Sequence, residues 1–323
     1  MYYIGVDLGG TNIAVGIVDE NQKIIEKGSV PTKADRDGEL IIKDMAELAA
    51  RLLDKNHIPL SEVAYAGIAT PGVANNDDGL VEYANNLPFL NFPIAKLFKK
   101  YLNVPKVYVE NDANTAALGE AIAGAAKGVK DSLMITLGTG VGGGVILNGK
   151  VLTSFNYSGT ELGHNVIEKG GRLCSCGRRG CFEAYSSATA LVKQTEEKLF
   201  ECHAKRIPTL MDDEVAANNG RVNARIAFSA MKKGDIPAKE VVDNYIDYLA
   251  CGITNMINTF QPQILSIGGG ICNERDWLLK PLEKIVDRDQ YTRNSAKKCK
   301  IVIAELGNDA GILGAACLGL QNK

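Results

Sequence analysis

The chain has 323 residues, 36 of them basic and 38 acidic for a formal charge of −2, with 46% hydrophobic and 23% charged residues. That length suits two lobes of ordinary domain size, and the balanced charge excludes a surface field that would recruit nucleic acid or an anionic membrane. The opening MYYIGVDLGG lacks the basic and apolar regions of a secretory leader, and no apolar run approaches a membrane span, so a cytoplasmic protein with eight reduced cysteines is expected.

Residues Tyr2 to Val30 read as three strands, with a glycine-rich turn, GGTN, after the first and a polar turn at Asn21 and Gln22 after the second. Apolar residues at helical spacing predict a helix over Glu39 to Lys55. VAYAGIA is a strand ending at Pro71-Gly72, and KVYVE is another that leads through Asn111 and Asp112 into an Ala-rich helix from Asn114 to Ala126. This order predicts an α/β lobe around a largely parallel sheet. SLMITLGTGVGGGVILNGK then repeats the strand, glycine turn, strand pattern of the N-terminus, suggesting two lobes of similar topology. Val241 to Phe260 is the longest helical pattern, followed by ILSIGGG and KIVIAEL as strands and by a closing helix, AGILGAACLGL. The least regular stretch, Glu201 to Asn223, reads as a surface excursion.

Each glycine turn exposes backbone N–H groups of the kind that attract phosphate oxygens. In the first turn (Asp7, Gly9, Gly10, Thr11, Asn12), Asp7 ends a strand where it can hold Mg²⁺, and Thr11 and Asn12 can donate to phosphate. In the second turn (Gly138, Thr139, Gly140, Gly142), the Thr139 hydroxyl and nearby amides suit terminal phosphates. Gly268, Gly269 and Gly270 follow a further strand. No Gly-Lys-Ser/Thr follows the glycines and a strand, not a helix, follows the first turn, so neither a P-loop nor a dinucleotide fingerprint is present. Each loop has a plain-turn reading as well; two matched copies favour phosphate.

From Glu161 to Glu183 the chain brings together His164, Cys174, Cys176 and Cys181. One imidazole and three thiolates suit tetrahedral Zn²⁺ with no open position, which makes the metal structural. Glu161 and Glu183 bracket the cluster, an arrangement that suits a polyhydroxylated ligand; the bland alternative is two solvated carboxylates. Cys202, Cys251, Cys272, Cys299 and Cys317 read as buried or half-buried thiols, and His57 and His203 as exposed.

DLGGTN, ENDAN, LGTGVGGG, ELGH and CSCGRRGCFE, in this order and spacing, resemble the ROK family of sugar kinases and repressors, and the resemblance covers essentially the whole chain. It implies a two-lobe, actin-like (ribonuclease H-like) α/β fold. A small lobe would span 1–115, completed by 309–323, and a larger lobe 116–308 would carry the zinc knuckle at 164–181. In that family ATP lies between the lobes and the sugar sits deeper, on a hinge. The resemblance makes Asp112 the general base for the sugar 6-hydroxyl, against the alternative that it only caps a helix; the helix N-terminus favours an ionised carboxylate there. It assigns sugar contacts to Gly72, Asn86, Asn111, Glu161, His164 and Glu183, with His164 binding zinc through one ring nitrogen and donating from the other. The 138–144 turn and Gly268 to Gly270 would hold the nucleotide, and Gly311 to Gly314 would serve the hinge or simply pack. The expected activity is ATP-dependent phosphorylation of a hexose, glucose before an N-acetylhexosamine; the family's fructokinases tend to place a histidine inside the Cys loop. A sugar-sensing repressor is disfavoured because the phosphate strand begins at Tyr2, leaving no room ahead for a DNA-binding module, and no basic patch is visible. Family members usually form dimers or tetramers, so a homo-oligomer is expected.

Overall fold

The computed structural model describes residues 1–322; residue 323, the last of the segment expected to complete the small lobe, lies outside them. In chain order the elements are β1 (Tyr2–Leu8), β2 (Asn12–Asp19), β3 (Ile24–Pro31), α1 (Gly38–Lys55), β4 (Val63–Thr70), β5 (Val73–Asn75), β6 (Leu80–Tyr83), β7 (Leu90–Phe92), α2 (Ile94–Tyr101), β8 (Val107–Asn111) and α3 (Asp112–Ala123). There follow β9 (Ser132–Leu137), β10 (Val141–Leu147), β11 (Lys150–Val151), α4 (Glu183–Ser186), α5 (Ala188–Lys205), α6 (Met211–Ala217), α7 (Ile226–Lys232), α8 (Ile236–Phe260), β12 (Ile264–Gly268), α9 (Asp276–Asp289), β13 (Lys300–Ile303) and α10 (Asp309–Cys317). Among the described residues two compact units result: 1–134, 144–160 and 304–322 form one, and 135–143 with 161–303 the other.

In the first unit the strand order is β3-β2-β1-β4-β8. β1, β2 and β3 are antiparallel neighbours, whereas β1, β4 and β8 run parallel. The sheet is therefore mixed, not largely parallel as the element order suggested. The tight glycine and polar turns can only reverse the chain, whereas β4 and β8 return through helices. A second sheet has the order β11-β10-β9-β12-β13, which reproduces the first and bears out the repeat seen in the sequence. A small antiparallel sheet, β5-β6-β7, was not evident from its short strands.

The first sheet has a core on each face. One is built from Ile4, Val6, Ile41, Met45, Ile68 and Phe98 with their neighbours under α1 and α2. The other collects Tyr3, Tyr65, Leu118, Ile312 and Leu313 under α3 and α10. Helix α1 follows the periodic pattern, burying Ile41, Ile42, Met45, Leu48, Ala49 and Leu52, and Asp37 caps it by accepting from the Glu39 N–H at 2.7 Å.

At two glycines of the sheet the backbone of helix α10 comes into direct contact with the strands. A Cβ on Gly5 would lie 2.0 Å from the Ile312 carbonyl oxygen, and one on Gly67 1.8 Å from that of Ala315. A Cβ on Gly314 would meet the Thr115 carbonyl oxygen at 1.8 Å, and one on Gly119 that of Ala310 at 2.3 Å. At the far end of α3 the fully buried Glu120 carboxylate accepts from the N–H groups of Ala125, Glu305 and Leu306, tying the chain that enters α10 to α3.

In the second unit α8 is the longest helix, 25 residues, and packs against α5, α7 and α9. It begins five residues before the periodic pattern, because Asp235 caps it by accepting from the Ala238 N–H at 2.9 Å and Pro237 occupies its first turn. The stretch from 201 to 223 is not an irregular excursion: α5 runs to Lys205 and α6 covers Met211–Ala217. Helix α6 buries only Met211 and is too short to display a helical period. Among the described residues no helix is long and apolar enough to cross a membrane.

Gly67→Ala should destabilise the protein by about 3 kcal/mol or more, because the clash is with helix backbone rather than a movable side chain. Denaturant unfolding of the variant against the parent measures this.

Candidate active site

Parallel pairing sets the ends of β1, β4 and β8 level. Asp7 lies opposite Ala69, Ala69 opposite Glu110, and Thr70 opposite Asn111. Open α/β sheets present ligand-binding groups at such a carboxyl edge. Burial, reinforced by the charge of Asp112, pushes the Asp7 carboxyl up to about 6. Gly311 abuts it: a Cβ there would lie 2.5 Å from the Asp7 carboxylate.

At the β8–α3 junction Asn111 is the helix cap, its Oδ1 accepting from the Ala113 and Asn114 N–H groups at 2.9 and 3.2 Å. The helix begins at Asp112, two residues earlier than its composition suggested. Asp112 is the first helical residue, and its Oδ1 accepts from the Ala113 N–H at 2.8 Å. Asn111 is thus the capping residue, and Asp112 shares one of the N–H groups that it caps. Nδ2 of Asn111 donates to the Gly72 carbonyl oxygen at 3.1 Å, so the expected sugar contacts Asn111 and Gly72 hold one another. Gly72 has φ +88°, and a Cβ there would stand 2.0 Å from the Tyr83 carbonyl oxygen, so only glycine fits. The first glycine turn closes with the Gly9 N–H donating to the Asn12 carbonyl at 2.9 Å, leaving Thr11 and Asn12 exposed. A Cβ on Gly10 would meet Nδ2 of Asn86 at 2.9 Å, which brings Asn86 to this turn.

In the second unit the Gly138 N–H donates to the Gly140 carbonyl at 3.0 Å. The start of α5 braces the same turn: the Ala188 N–H donates to the Gly138 carbonyl at 2.9 Å and the Thr189 hydroxyl to the Thr139 carbonyl at 2.8 Å. Gly269, with φ +107°, comes so close to the end of β9 that a Cβ would lie 2.2 Å from the Leu137 carbonyl oxygen. The Gly268 to Gly270 segment therefore borders the strand that leads into the 138–144 turn. Glu183 joins this turn to the cysteine cluster: its Oε2 accepts from the Val141 N–H at 3.0 Å and its Oε1 from the Ser175 hydroxyl at 2.7 Å.

The ligand atoms of His164, Cys174, Cys176 and Cys181 all lie within 4.8 Å of one another. Cys174 Sγ is 3.6 Å from His164 Nδ1, and the Cys176 and Cys181 sulfurs are 3.7 Å apart. At ordinary zinc bond lengths a tetrahedral ion separates two sulfurs by about 3.8 Å and a sulfur from a nitrogen by about 3.6 Å. The donor set therefore fits such an ion, with Nδ1 facing it. The backbone supports the cluster: the Cys174 N–H donates to the Arg178 carbonyl, the Gly177 N–H to that of Cys174, and Cys181 bridges to Val166. Of the remaining cysteines, Cys202, Cys272 and Cys317 are buried and Cys299 is half-buried, but Cys251 is exposed against expectation: it lies on an outward-facing turn of α8. His57 and His203 are exposed as expected, and His203 lies 2.8 Å from Asp212.

The model of the ROK family matches residues 3–322. The chain belongs to the ROK family. It is 36% identical over 323 residues to a glucokinase of Halalkalibacterium halodurans, covering 100% of this chain and 96% of that one. It is 38% identical over 318 residues to a glucokinase of Thermotoga maritima, covering 98% and 96%. Among solved structures, a ROK family glucokinase from Streptomyces griseus in complex with glucose and AMPPNP is similar, with 30% identity, a TM-score of 0.80 and coverage of 99% and 100%. The α/β fold with mixed sheets is that of the ROK kinases.

Two groups in this ROK chain escaped the sequence reading. Ser175, between two of the cysteines, donates to Glu183. Glu110 is 5% exposed and accepts at Oε1 from the Asn111 N–H at 2.9 Å and from Asn114 Nδ2 at 3.1 Å. An acid closing the apolar run VYVE was the available signal. Burial pushes the Glu110 carboxyl up to about 7 from 4.5, more than its two hydrogen bonds offset.

A carboxyl raised in the folded state keeps its proton longer there than in the unfolded chain. Its cost is absent below pH 4.5, grows as pH rises, and is complete above about pH 7. Glu110→Gln should remove a decline on the order of 3 kcal/mol between pH 4.5 and 7. Denaturant unfolding at pH 5 and pH 8 should show a flatter pH dependence for the variant than for the parent.

Proposed function

We propose that this chain is an ATP-dependent hexokinase that phosphorylates glucose at its 6-hydroxyl. The glucokinases of H. halodurans and T. maritima, similar over nearly the whole chain, support the reaction, and the S. griseus complex supports glucose with an ATP-like nucleotide. The observation that carries the reading is the β8–α3 junction: Asn111 caps the helix and Asp112 is its first residue, at the carboxyl edge of the sheet and close enough to Asp7 for its charge to raise that carboxyl. Asp112 accepts the hydroxyl proton as the oxygen attacks the terminal phosphate. Glu161 and the Nε2 edge of His164 bind ring hydroxyls, with Gly72, Asn86 and Asn111 as further sugar contacts. One Asn111 N–H bond is already committed to Gly72, which leaves its second for the sugar.

Glu183 is the remaining sugar contact in this reading, and its bonds to the Val141 N–H and Ser175 couple it to the nucleotide turn. The turn 9–12 and the turn 138–142 hold phosphates, and Gly268 to Gly270 border the nucleotide. Asp7 suits Mg²⁺, since a cation beside it would relieve both the burial and the neighbouring charge that raise its carboxyl. Asp7 would hold Mg²⁺, which would supply positive charge against the phosphates. The Cys₃His cluster holds zinc structurally, and its output is the orientation of His164 and of the segment leading to Glu183.

Glucose-dependent ADP release, compared with mannose, fructose, N-acetylglucosamine and N-acetylmannosamine, should be fastest with glucose. Asp112→Asn should lower kcat by about 10²–10⁴-fold; an unchanged rate would remove Asp112 as base. Cys176→Ser should reduce protein-bound zinc in elemental analysis and weaken glucose binding together. Full glucose affinity in metal-free protein would refute the orienting role.

A further inference from the structure

Thr160, immediately ahead of Glu161, has φ +68°, a left-handed conformation that a β-branched residue adopts only under constraint. Ser154 and Tyr157 in the same loop are also left-handed, at +65° and +56°. The loop is held at defined points. The Gly159 N–H donates to the Thr153 carbonyl at 3.0 Å, and the Tyr157 hydroxyl donates to Asp77 at 2.6 Å. The Thr160 hydroxyl lies 2.9 Å from Asn114 Oδ1, with the Gly159 carbonyl also within donor distance at 2.6 Å.

Asn114 is 1% exposed, and its Nδ2 donates to the buried Glu110. That bond orients the amide so that Oδ1 faces Thr160. Glu110 itself is pinned by the Asn111 N–H, at the junction that carries Asp112. Beyond Thr160 the chain makes a single tight turn over Leu162–His164, with the His164 N–H donating to the Glu161 carbonyl at 3.1 Å. The backbone direction set at Thr160 therefore passes to both Glu161 and His164.

We propose that Glu110, Asn114 and Thr160 form a positioning relay that holds the strained backbone entering Glu161 and thereby sets sugar affinity. The inference rests on the hexokinase reading and adds three residues that touch no substrate in it. The β-branched side chain and its hydroxyl act together: the hydroxyl bond to a rigid, buried amide offsets the backbone strain, and the resulting conformation aims the next side chain.

Isothermal titration with glucose and steady-state kinetics on the full chain test this with Thr160→Val, which keeps the shape but loses the hydroxyl, and Thr160→Ser, which keeps the hydroxyl. Thr160→Gly, at ease in left-handed backbone, serves if the valine variant does not fold. Loss of the hydroxyl should weaken glucose binding roughly tenfold, the weight of about one hydrogen bond. The KM for ATP should stay within about twofold, and Thr160→Ser should restore glucose affinity. Because the relay acts through Glu161, the same Thr160 changes made in a Glu161→Gln background should alter glucose affinity less than about twofold. Unchanged affinity in Thr160→Val, or equal losses with and without Glu161, would overturn the relay while leaving the kinase reading intact. A parent protein that neither bound nor phosphorylated a hexose would overturn the kinase reading and the relay with it.

Discussion

Helix α10 lies on β1, β4 and α3 at backbone-to-backbone distance, and the first unit is organised around that contact. Gly5, Gly67, Gly119 and Gly314 each face a carbonyl that a single methyl group would strike. Such an approach forfeits side-chain burial but maximises dispersion contact between backbones and permits one register only. It joins residues from the two ends of the chain. Glu120 extends the constraint by collecting three backbone N–H groups near the entry to α10. Through Gly311 the same helix sets the wall against which Asp7 lies.

That wall shapes the electrostatics of the sheet edge. Asp7, Glu110 and Asp112 are three acids on a short stretch of carboxyl-terminal strand ends, and burial raises two of them. Each is handled differently. Glu110 accepts two internal hydrogen bonds at Oε1, from the Asn111 N–H and from Asn114 Nδ2. Asp7 carries a cost that a cation would relieve. Asp112 is the first residue of α3, beside the capping Asn111, and its Oδ1 accepts from the Ala113 N–H. Three neighbouring acids thus meet three different environments within one sheet edge and the helix turn that follows it.

The second unit places its glycine turn and its cysteine cluster on one carboxylate. Glu183 takes a backbone N–H of the turn with one oxygen and the Ser175 hydroxyl, inside the cysteine loop, with the other. Any shift of the cluster is therefore felt at the turn. The cysteine loop thereby gains a mechanical link to the segment proposed to hold phosphate.

Much was legible in the linear pattern, because it depends on local chemistry. Apolar, β-prone runs and glycine turns marked β1 to β3 and their repeat at β9 and β10, the amphipathic spacing marked α1, and the spacing of His164, Cys174, Cys176 and Cys181 marked a cluster that the fold brings together. Short elements such as β5 to β7 and α6 left no period to read. Asn111 and Asp112 were visible as a pair, but which of them caps α3 depends on backbone angles at the junction. Likewise no pattern in GTEL predicts that Thr160 is left-handed or that its hydroxyl reaches Asn114, 46 residues earlier. The linear chain was enough for the longer elements, the glycine turns and the gathering of His164 with the three cysteines, since residue type and spacing dictate those. Only the tertiary structure decided the seating of α10, the partners of Glu110 and Glu183, and the strain at Thr160, because each arises where segments distant in the chain are forced within a few ångströms of one another.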